Sequence, residues 1–499
     1  MTNRIAMKLL ASIFFSLSLS SIAAQTLVLP GDYPDPSVVR IGDSWWATAT
    51  TSNWAPAFPL LQSKDLVNWD LKSHVFPELP AWADYYYWAP EISVDKGKVY
   101  VYYAAHKRGG NLCLAVASAD KPEGPYTDHG PIMCQPAGSI DAFAMRDETG
   151  KLYMIWKEDG NSVKQPTPIW AMEMNEARTE LVGEKKELFR NDAKWEANLV
   201  EGVSMIRHGD YFYAFYAGAG CCGRECSYEM GVARAKDLLG PWEKYDKNPL
   251  FRNDEQWKCP GHGTPVEKDG RYFILYHGYH ADDGVYAGRQ GLLKEFTFTD
   301  DGWISLINND PEKQVIPFKI HDNFNGSSLA QSWQWSVFQK PRYKMTKGKL
   351  ELKALSGSSG AFLGQKIVTA DFKAVITLFP KQSKAESGLA VVGDDKNMIA
   401  MTVTRNEISL WKLQDGEKFI IREQTINSKD SLRFRVEVKD GKEIDFFYGS
   451  NGEDFQKFNV NIVDGAYLPP WDRALRVALI SRGRPTATAL FDQFVLEKQ

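Results

Sequence analysis

Three carboxylic side chains stand at corresponding points of a repeated pattern in the N-terminal part of this 499-residue chain. They are Asp35 in GDYPDPSVV, Asp141 in SIDAF and Glu201 in VEG. Taken alone, the Asp and Pro residues of the first motif predict only a turn. Clustered carboxylates, however, resist ionising together. A proton-holding acid and an ionised carboxylate can hydrolyse a glycosidic bond, and a third acid can raise the pKa of the proton donor.

The elements that must position these acids are copies of one strand–turn–strand unit. An apolar strand, a Gly turn and an aromatic-rich strand recur in VVRIGDSWWATAT, ISVDKGKVYVYYAA, AFAMRDETGKLYMIW, VSMIRHGDYFYAFYAG and PVEKDGRYFILYHG. Successive turn glycines are 53 to 61 residues apart. A repeat of roughly 50 residues with about four short strands is typical of a β-propeller blade. We therefore expect an all-β chain whose first domain has five blades.

In a propeller the first strand of each blade lines the central channel. Asp35, Asp141 and Glu201 lie near the starts of three such strands, and Trp88 and His262 occupy similar offsets before the turn glycines of two others. We therefore expect three acids, an aromatic ring and an imidazole to meet at one mouth of the channel.

The motifs also resemble, in order, those of glycoside hydrolase family 43. They are YPDPSVVRIGDSWW, SKDLVNW, WAPEIS, SIDAFAMRDETGKLYMIW, VEGVSMIRHGDYFYAFYA, GHGTPVEKDGRYFILYHG and GRQGLLKEFTFTDDGWI. The resemblance implies a five-bladed propeller that hydrolyses α-L-arabinofuranosides or β-D-xylosides with inversion. It implies that Asp35 is the general base, Glu201 the general acid and Asp141 the residue that modulates the pKa of the acid and orients it.

The same resemblance implies roles for three further residues. Arg289 in GRQGLL would reach the sugar and the carboxylates, and Trp88 would form an aromatic wall of the sugar pocket. His262 in GHG would lie near the channel axis, where in many members it helps to hold a cation through waters. The alternatives are a surface arginine, a core tryptophan and a structural histidine. No cofactor is required for the chemistry, and a structural Ca²⁺ could bind in the channel or in the C-terminal domain.

Two other acidic residues could take these catalytic roles, and two positions differ from the family motifs. Glu196 in KWEANLVEG is an alternative acid, but Glu201 keeps the register of the repeat. Asp32 is an alternative base, but it lacks the DPS context. Val203 and Ala142 stand where the family often has proline. Neither departure removes a charged group, but both leave the sugar less defined.

The C-terminal part changes to alternating strands such as KLELKA, FKAVITLF, LRFRVEVK and ALRVALIS. This period of two predicts an antiparallel β-sandwich. The segment resembles the concanavalin-like jelly roll that follows the propeller in some family 43 enzymes. It would be either a carbohydrate-binding module or a brace that closes one side of the pocket. Asp322 and Asp492, near its two ends, could share a Ca²⁺.

The first residues predict a secretory signal. A basic start is followed by an apolar run from Leu9 and by the small residues Ala23 and Ala24. No cysteine lies near the predicted cleavage site, which disfavours a lipid anchor, and no later stretch reaches membrane-spanning length. We expect a secreted or periplasmic protein. The predicted division is a signal peptide at 1–24, a catalytic propeller at 25–318 and a β-sandwich at 319–499.

The charge distribution and the cysteines indicate which binding partners and which cellular compartment to expect. The net charge is −4, with both signs mixed and no basic stripe, which disfavours nucleic acid. Six cysteines fit disulfides in an oxidising compartment, and Cys113 with Cys134 is the expected pair because they lie in neighbouring strands of one repeat. A metal site in CCGREC is the alternative, although zinc sites prefer a different spacing.

Three functions follow from these observations. The first is an inverting, exo-acting glycosidase that removes terminal α-L-arabinofuranosyl residues from plant-wall polysaccharides or oligosaccharides, with β-D-xylosidase action as the alternative. The second is a non-catalytic sugar-binding propeller, against which the three intact carboxylates argue. The third is a retaining fructosidase, which needs an RDP motif, whereas MRDETG here lacks the proline.

Overall fold

The computed structural model of the protein describes residues 25–307, 318–427, 430–450 and 454–499. The predicted signal peptide, residues 1–24, lies outside these residues. Within them the regular secondary structure is almost entirely β-strand, and the helical segments are α1 (Gly284–Ala287) and two 3₁₀ turns, Gly160–Val163 and Lys194–Glu196. No helix in these described ranges is long and apolar enough to cross a membrane.

The N-terminal strands, apart from Trp54–Ala55, form five antiparallel sheets. They are β1 (Thr26–Leu29), β2 (Ser37–Ile41), β3 (Ser44–Thr48), β4 (Trp54–Ala55), β5 (Ala57–Ser63), β6 (Asp70–Phe76), β7 (Ala83–Asp95), β8 (Lys98–Lys107), β9 (Leu112–Ala119), β10 (Thr127–Cys134), β11 (Ser139–Arg146), β12 (Leu152–Glu158), β13 (Ile169–Met174), β14 (Leu181–Phe189), β15 (Val200–His208), β16 (Tyr211–Gly218), β17 (Glu229–Ala235), β18 (Glu243–Lys244), β19 (Trp257–Lys268), β20 (Arg271–His280), β21 (Arg289–Phe298) and β22 (Ile304–Leu306).

These sheets are the five blades that the repeat predicts. Their orders are β2-β3-β5-β6, β7-β8-β9-β10, β11-β12-β13-β14, β15-β16-β17-β18 and β19-β20-β21-β1. The inner strands β2, β7, β11, β15 and β19 contact one another in a closed ring around the channel. The fifth blade takes its outer strand from the chain start, because β1 pairs with β21 at Thr26 and Leu293. This pairing closes the ring and covers a sheet edge that would otherwise be free.

The abundant aromatic residues pack mainly between blades. One apolar cluster lies between each pair of neighbouring blades, and Trp46, Trp156, Tyr103, Tyr213 and Phe215 are among their fully buried members. Each aromatic-rich second strand therefore contributes one face to the cluster before it and the other face to the cluster after it. The pattern in the sequence reflects a sheet that is buried on both sides.

The C-terminal strands, apart from Trp335–Ser336, form a sandwich of a nine-stranded and a six-stranded antiparallel sheet. They are β23 (Lys319–Asp322), β24 (Trp335–Ser336), β25 (Tyr343–Thr346), β26 (Lys349–Lys353), β27 (Ala361–Lys366), β28 (Phe372–Leu378), β29 (Glu386–Asp394), β30 (Asn397–Thr404), β31 (Glu407–Gln414), β32 (Glu417–Thr425), β33 (Leu432–Lys439), β34 (Glu443–Gly449), β35 (Gln456–Lys457), β36 (Val463–Asp464), β37 (Arg476–Arg482) and β38 (Thr488–Lys498).

The two domains share a packed interface. The two-residue strands β4 and β24 pair across it, with Trp335 opposite Ala55. Asp32 and Arg476 form a buried ion pair at 3.2 Å between the domains. The sandwich is therefore fixed beside the channel mouth, where its side chains can contribute to a site on the propeller.

A buried carboxyl inside the channel gives a test of this fold. Glu91 on β7 is 8% exposed and accepts a 3.3 Å hydrogen bond from Thr264 on β19. Burial raises the pKa of Glu91 from 4.5 to about 8. As the pH rises from 4.5 to 8, the unfolded chain loses this proton before the folded protein does, so folding stability falls over that window.

We therefore expect Glu91→Gln, which stays neutral, to gain stability over the wild type as the pH rises. The two proteins should have similar melting temperatures near pH 4.5, and the variant should be more stable at pH 8.5 by on the order of 3 kcal/mol. Thermal denaturation of both proteins at the two pH values measures this. Equal differences at both pH values would show that Glu91 does not carry the proton in the folded state.

Candidate active site

One pocket of about 540 Å³ lies at the channel mouth. Asp35, just before β2, lines it together with Asp141 on β11, Glu201 on β15, His262 on β19 and Trp88 on β7. Each of these residues comes from a different blade. The structure thus brings together all the positions that the repeat places at equivalent points.

A backbone irregularity recurs where the inner strands reach this mouth. Asp35, Asp141 and His262 have φ angles of 50°, 59° and 36°, and the residue after Glu201, Gly202, has a φ of 63°. The ladders of β11, β15 and β19 shift register at these points. A bulge with left-handed backbone bends a strand and redirects its side chains. In addition, a Cβ on Gly202 would lie 2.8 Å from the His262 ring, so only glycine fits there.

The Asp35 carboxylate is surrounded by groups that favour its ionised form. Thr50 donates a hydrogen bond to Oδ2 at 2.7 Å, and Nη1 of Arg289 lies 3.1 Å from Oδ1. His277, fully buried, accepts the backbone N–H of Asp35 on Nδ1 at 3.0 Å. Burial by itself would raise the pKa of Asp35, but the guanidinium, two nearby histidines and the hydroxyl outweigh it and lower the pKa to about 2.

Asp141 and Glu201 lie side by side on neighbouring blades. Asp141 Oδ2 accepts a 2.8 Å hydrogen bond from the backbone N–H of Gly202, the residue after Glu201. Burial, followed by the negative charge of Glu201, raises the pKa of Asp141 to about 6 against the nearby positive charges. Asp141 therefore keeps its proton to a higher pH than Asp35 does.

A buried lysine contacts Glu201 from another side. Lys157 Nζ is 2.5 Å from Glu201 Oε2 and 2.9 Å from Asp159 Oδ1. Burial opposes its charge, but the neighbouring carboxylates outweigh burial and raise the pKa of Lys157. The Tyr228 hydroxyl donates to Glu201 Oε1 at 2.8 Å. Both Glu201 oxygens thus accept hydrogen bonds, one from a lysine ammonium and one from a tyrosine hydroxyl.

The motifs in the sequence did not identify Lys157 or Tyr228. A signal for Lys157 exists, because it ends the apolar strand LYMIWKE and lies opposite Ile140 in the antiparallel register, next to Asp141. A lysine on a buried strand near a predicted carboxylate is worth testing as its partner. Tyr228 follows the CCGREC loop, and no local pattern marks it.

Two residues of the sandwich complete one wall of the pocket. Trp471 packs edge-on against Trp88, with 5.8 Å between ring centroids, and Asp472 Oδ2 lies 3.3 Å from the Trp88 indole N–H. Arg289 Nη2 donates to the Asp472 carbonyl at 3.2 Å. The C-terminal domain was expected either to bind carbohydrate or to close one side of the pocket. In this structure it closes one side of the pocket.

The two rival acids lie outside the pocket lining. Glu196 is fully buried, and its carboxylate accepts hydrogen bonds from Tyr216 and two backbone N–H groups while pairing with Lys244. Asp32 pairs with Arg476 at the domain interface. Both carboxylates therefore serve the packing of the fold.

No group of three or more His, Cys, Asp and Glu side chains in the described ranges is arranged to hold a metal ion. His262 Nδ1 faces Asp35 Oδ1 at 3.6 Å and Asp141 Oδ1 at 3.9 Å. The carboxylate of Asp322 accepts hydrogen bonds from a backbone N–H and a tryptophan indole, both at 2.8 Å, and a Ca²⁺ shared with Asp492 stays a prediction. A water-mediated cation at His262 stays a prediction.

All six cysteines fall in the described ranges and form disulfides. Cys113 pairs with Cys134 across the neighbouring strands β9 and β10, as predicted. The CCGREC segment is not a metal site, because Cys221 pairs with Cys222 and Cys226 pairs with Cys259.

A five-bladed propeller with ionised and proton-holding carboxyls at its channel mouth has the architecture of a glycoside hydrolase. The chain belongs to glycosyl hydrolase family 43, whose model matches residues 24–304. A second model, the β-xylosidase C-terminal concanavalin A-like domain, matches residues 321–470. The resemblance seen in the motifs is thereby confirmed.

Three relatives illustrate the range of the family. The non-reducing end α-L-arabinofuranosidase BoGH43B of Bacteroides ovatus is 24% identical over 83% of this chain and 80% of its own. A β-xylosidase of Bacillus subtilis is 24% identical over 87% and 90%. The crystal structure of a xylan β-1,4-xylosidase from Bacillus halodurans superposes with a TM-score of 0.81 at 19% identity, covering 95% of this chain and 100% of that one. This structural likeness concerns the fold.

Proposed function

We propose that this glycosidase removes terminal α-L-arabinofuranosyl residues from plant-wall polysaccharides or oligosaccharides with inversion at the anomeric carbon. The proposal rests on two carboxyl groups in one pocket whose pKa values are shifted in opposite directions. Asp35 is held ionised with a pKa of about 2, while the pKa of Asp141, in its pair with Glu201, is raised to about 6. Opposed protonation states across a bond are what glycoside hydrolysis requires.

In the proposed mechanism, Asp35 accepts a proton from the water that attacks the anomeric carbon. Glu201 delivers a proton to the leaving oxygen, and Asp141, which accepts the backbone N–H of Gly202 beside it, modulates the pKa of this acid and orients it. Arg289 fixes the Asp35 carboxylate and faces the sugar, and Trp88 packs along the ring. The wall formed by Trp471 supports exo action, because a pocket closed on one side accepts the end of a chain better than its middle.

A β-D-xylosidase is the second candidate. It is supported by the match of residues 321–470 to a domain named for β-xylosidases and by the β-xylosidase relatives. The match to the arabinofuranosidase extends through both domains of the chain, and so does the match to the β-xylosidase of Bacillus subtilis, so the assay below decides between the two sugars. Both sugars are pentoses, so the carboxylate chemistry is the same for either.

The expected result is hydrolysis of 4-nitrophenyl α-L-arabinofuranoside with a kcat/KM above that for the β-D-xyloside, and release of arabinose alone from arabinan. Proton NMR of the first-formed sugar should show the inverted anomer. A preference for the xyloside would favour the second candidate, and a retained anomer would contradict the roles of Asp35 and Glu201. Sugar binding without hydrolysis would support the non-catalytic alternative.

We also propose that the enzyme acts outside the cytoplasm. The basic, apolar and small-residue pattern of residues 1–24 supports this, and so do the three disulfides. Fractionation of cells that express the full chain tests the proposal.

A further inference from the structure

Two adjacent cysteines form part of the pocket wall. Cys221 and Cys222, in the segment between β16 and β17, are bonded to each other, line the pocket and are both partly exposed. A disulfide stabilises mainly by closing a long loop in the unfolded chain, and its effect grows with loop length. A bond between neighbours closes almost no loop. Stability therefore does not explain this disulfide.

The loop that carries the two cysteines is fixed by other contacts. Cys226 is bonded to Cys259 on β19, and the backbone N–H of Ser227 donates to the Gly220 carbonyl at 2.9 Å. Gly223 donates its N–H to the Tyr279 hydroxyl at 3.2 Å. The Cys221–Cys222 pair is thus presented on a loop that is already anchored.

The sulfur atoms lie beside the proposed catalytic base. Arg289 Nη1 is 3.1 Å from Asp35 Oδ1 and 3.9 Å from Cys221 Sγ. A sugar whose anomeric carbon is attacked by water bound to Asp35 must lie close to this sulfur. The Asp35 carboxylate and the Cys221 sulfur thus share one guanidinium neighbour, and both residues line the same pocket.

Disulfide sulfur is polarisable and apolar, and it has no proton to donate. One face of a pentose ring consists mainly of C–H groups, which pack on apolar surfaces. We propose that the Cys221–Cys222 disulfide is an apolar platform for the C–H face of the terminal pentose and thus determines affinity for it. This inference rests on the proposed function.

The test compares the wild type with Cys221→Ser/Cys222→Ser, which opens the ring and replaces sulfur by smaller, polar oxygen. We expect KM for the preferred nitrophenyl pentoside to rise about tenfold, with kcat changed by less than about threefold, because the contact acts in binding. The matched control is Cys113→Ser/Cys134→Ser, which removes a disulfide outside the pocket and should leave KM unchanged. Melting curves show whether each variant is folded.

A second measurement uses the wild-type protein and does not depend on activity. In the oxidised protein, free L-arabinose or D-xylose should slow the reduction of the Cys221–Cys222 disulfide by dithiothreitol at least threefold, as followed by alkylation with iodoacetamide and mass spectrometry. Alkylation of the exposed Cys134 should be unaffected. Unchanged KM in the double variant, or no protection by either sugar, overturns the platform. A wild type that hydrolyses neither glycoside overturns the proposed function, while protection by the sugars would still support the platform.

Discussion

Asp35→Ala should lower kcat/KM by about 10³-fold on every substrate, whatever its leaving group. The base must take a proton from water, and that need does not depend on how readily the aglycone departs. General base catalysis contributes about 10²–10⁴-fold to the rate. The low pKa of Asp35 keeps its carboxylate ionised and thus able to accept a proton. No other carboxylate in the pocket shares its contacts with Arg289 and Thr50.

Glu201→Ala should behave differently. Its activity should fall by a similar factor on natural oligosaccharides, whose leaving oxygen needs a proton. On 2,4-dinitrophenyl glycosides, whose aglycone leaves unprotonated, the loss should be about tenfold or less. Steady-state kinetics over a series of aryl leaving groups measures both variants, and Asp43→Asn, an exposed carboxylate beside Lys64, is the control. Equal rescue of both variants by a good leaving group would mean that the base and acid are wrongly assigned.

Asp141→Asn and Lys157→Met should move the basic limb of the pH–rate profile in opposite directions. Asp141→Asn removes a negative charge beside Glu201, so the remaining carboxyl loses its proton more easily and the limb should move about one pH unit down. Lys157→Met removes a positive charge 2.5 Å from Glu201, so the limb should move up. Asp141→Asn should also lower kcat about 10²-fold, because Glu201 then holds the proton that it must deliver less firmly.

The measurement is kcat/KM between pH 4 and pH 9 for the wild type, both variants and a lysine control. Lys151→Met removes a lysine next to the other end of the same strand, where it pairs with the exposed Glu173. Its profile should match that of the wild type. If both charge-changing variants shifted the limb in the same direction, the limb would not report the Asp141–Glu201 pair.

The blades could be predicted because their signals are local. Alternation of side chains has a period of two, and each turn glycine lies within a few residues of the strands that it joins. Repeating this unit also fixes the register between blades. That is why Asp35, Asp141 and Glu201, distant in the chain, could be expected at one mouth, and why Glu201 could be preferred to Glu196.

Other parts of the site had only a weak signal or none. The left-handed bulges at Asp141 and His262 break the alternation that predicts a strand, so residue patterns do not reveal how these side chains are aimed. Lys157 ends an apolar strand. It can contact the carboxylates only because the strand that carries Asp141 pairs with its own strand. The pairing of adjacent cysteines in CCGREC depends on the loop geometry.

The sequence by itself determined five blades, a β-sandwich and three acids at equivalent positions, because these follow from short-range periodicity and from its repetition. Only the tertiary structure decided how the ring closes and what surrounds the acids. β1 pairs with β21 from the far end of the propeller, and Asp472 reaches Ser52 and Trp88 across more than 380 residues of chain. Such contacts arise when two domains bury surface against each other, and no periodicity within either segment encodes which residues will meet.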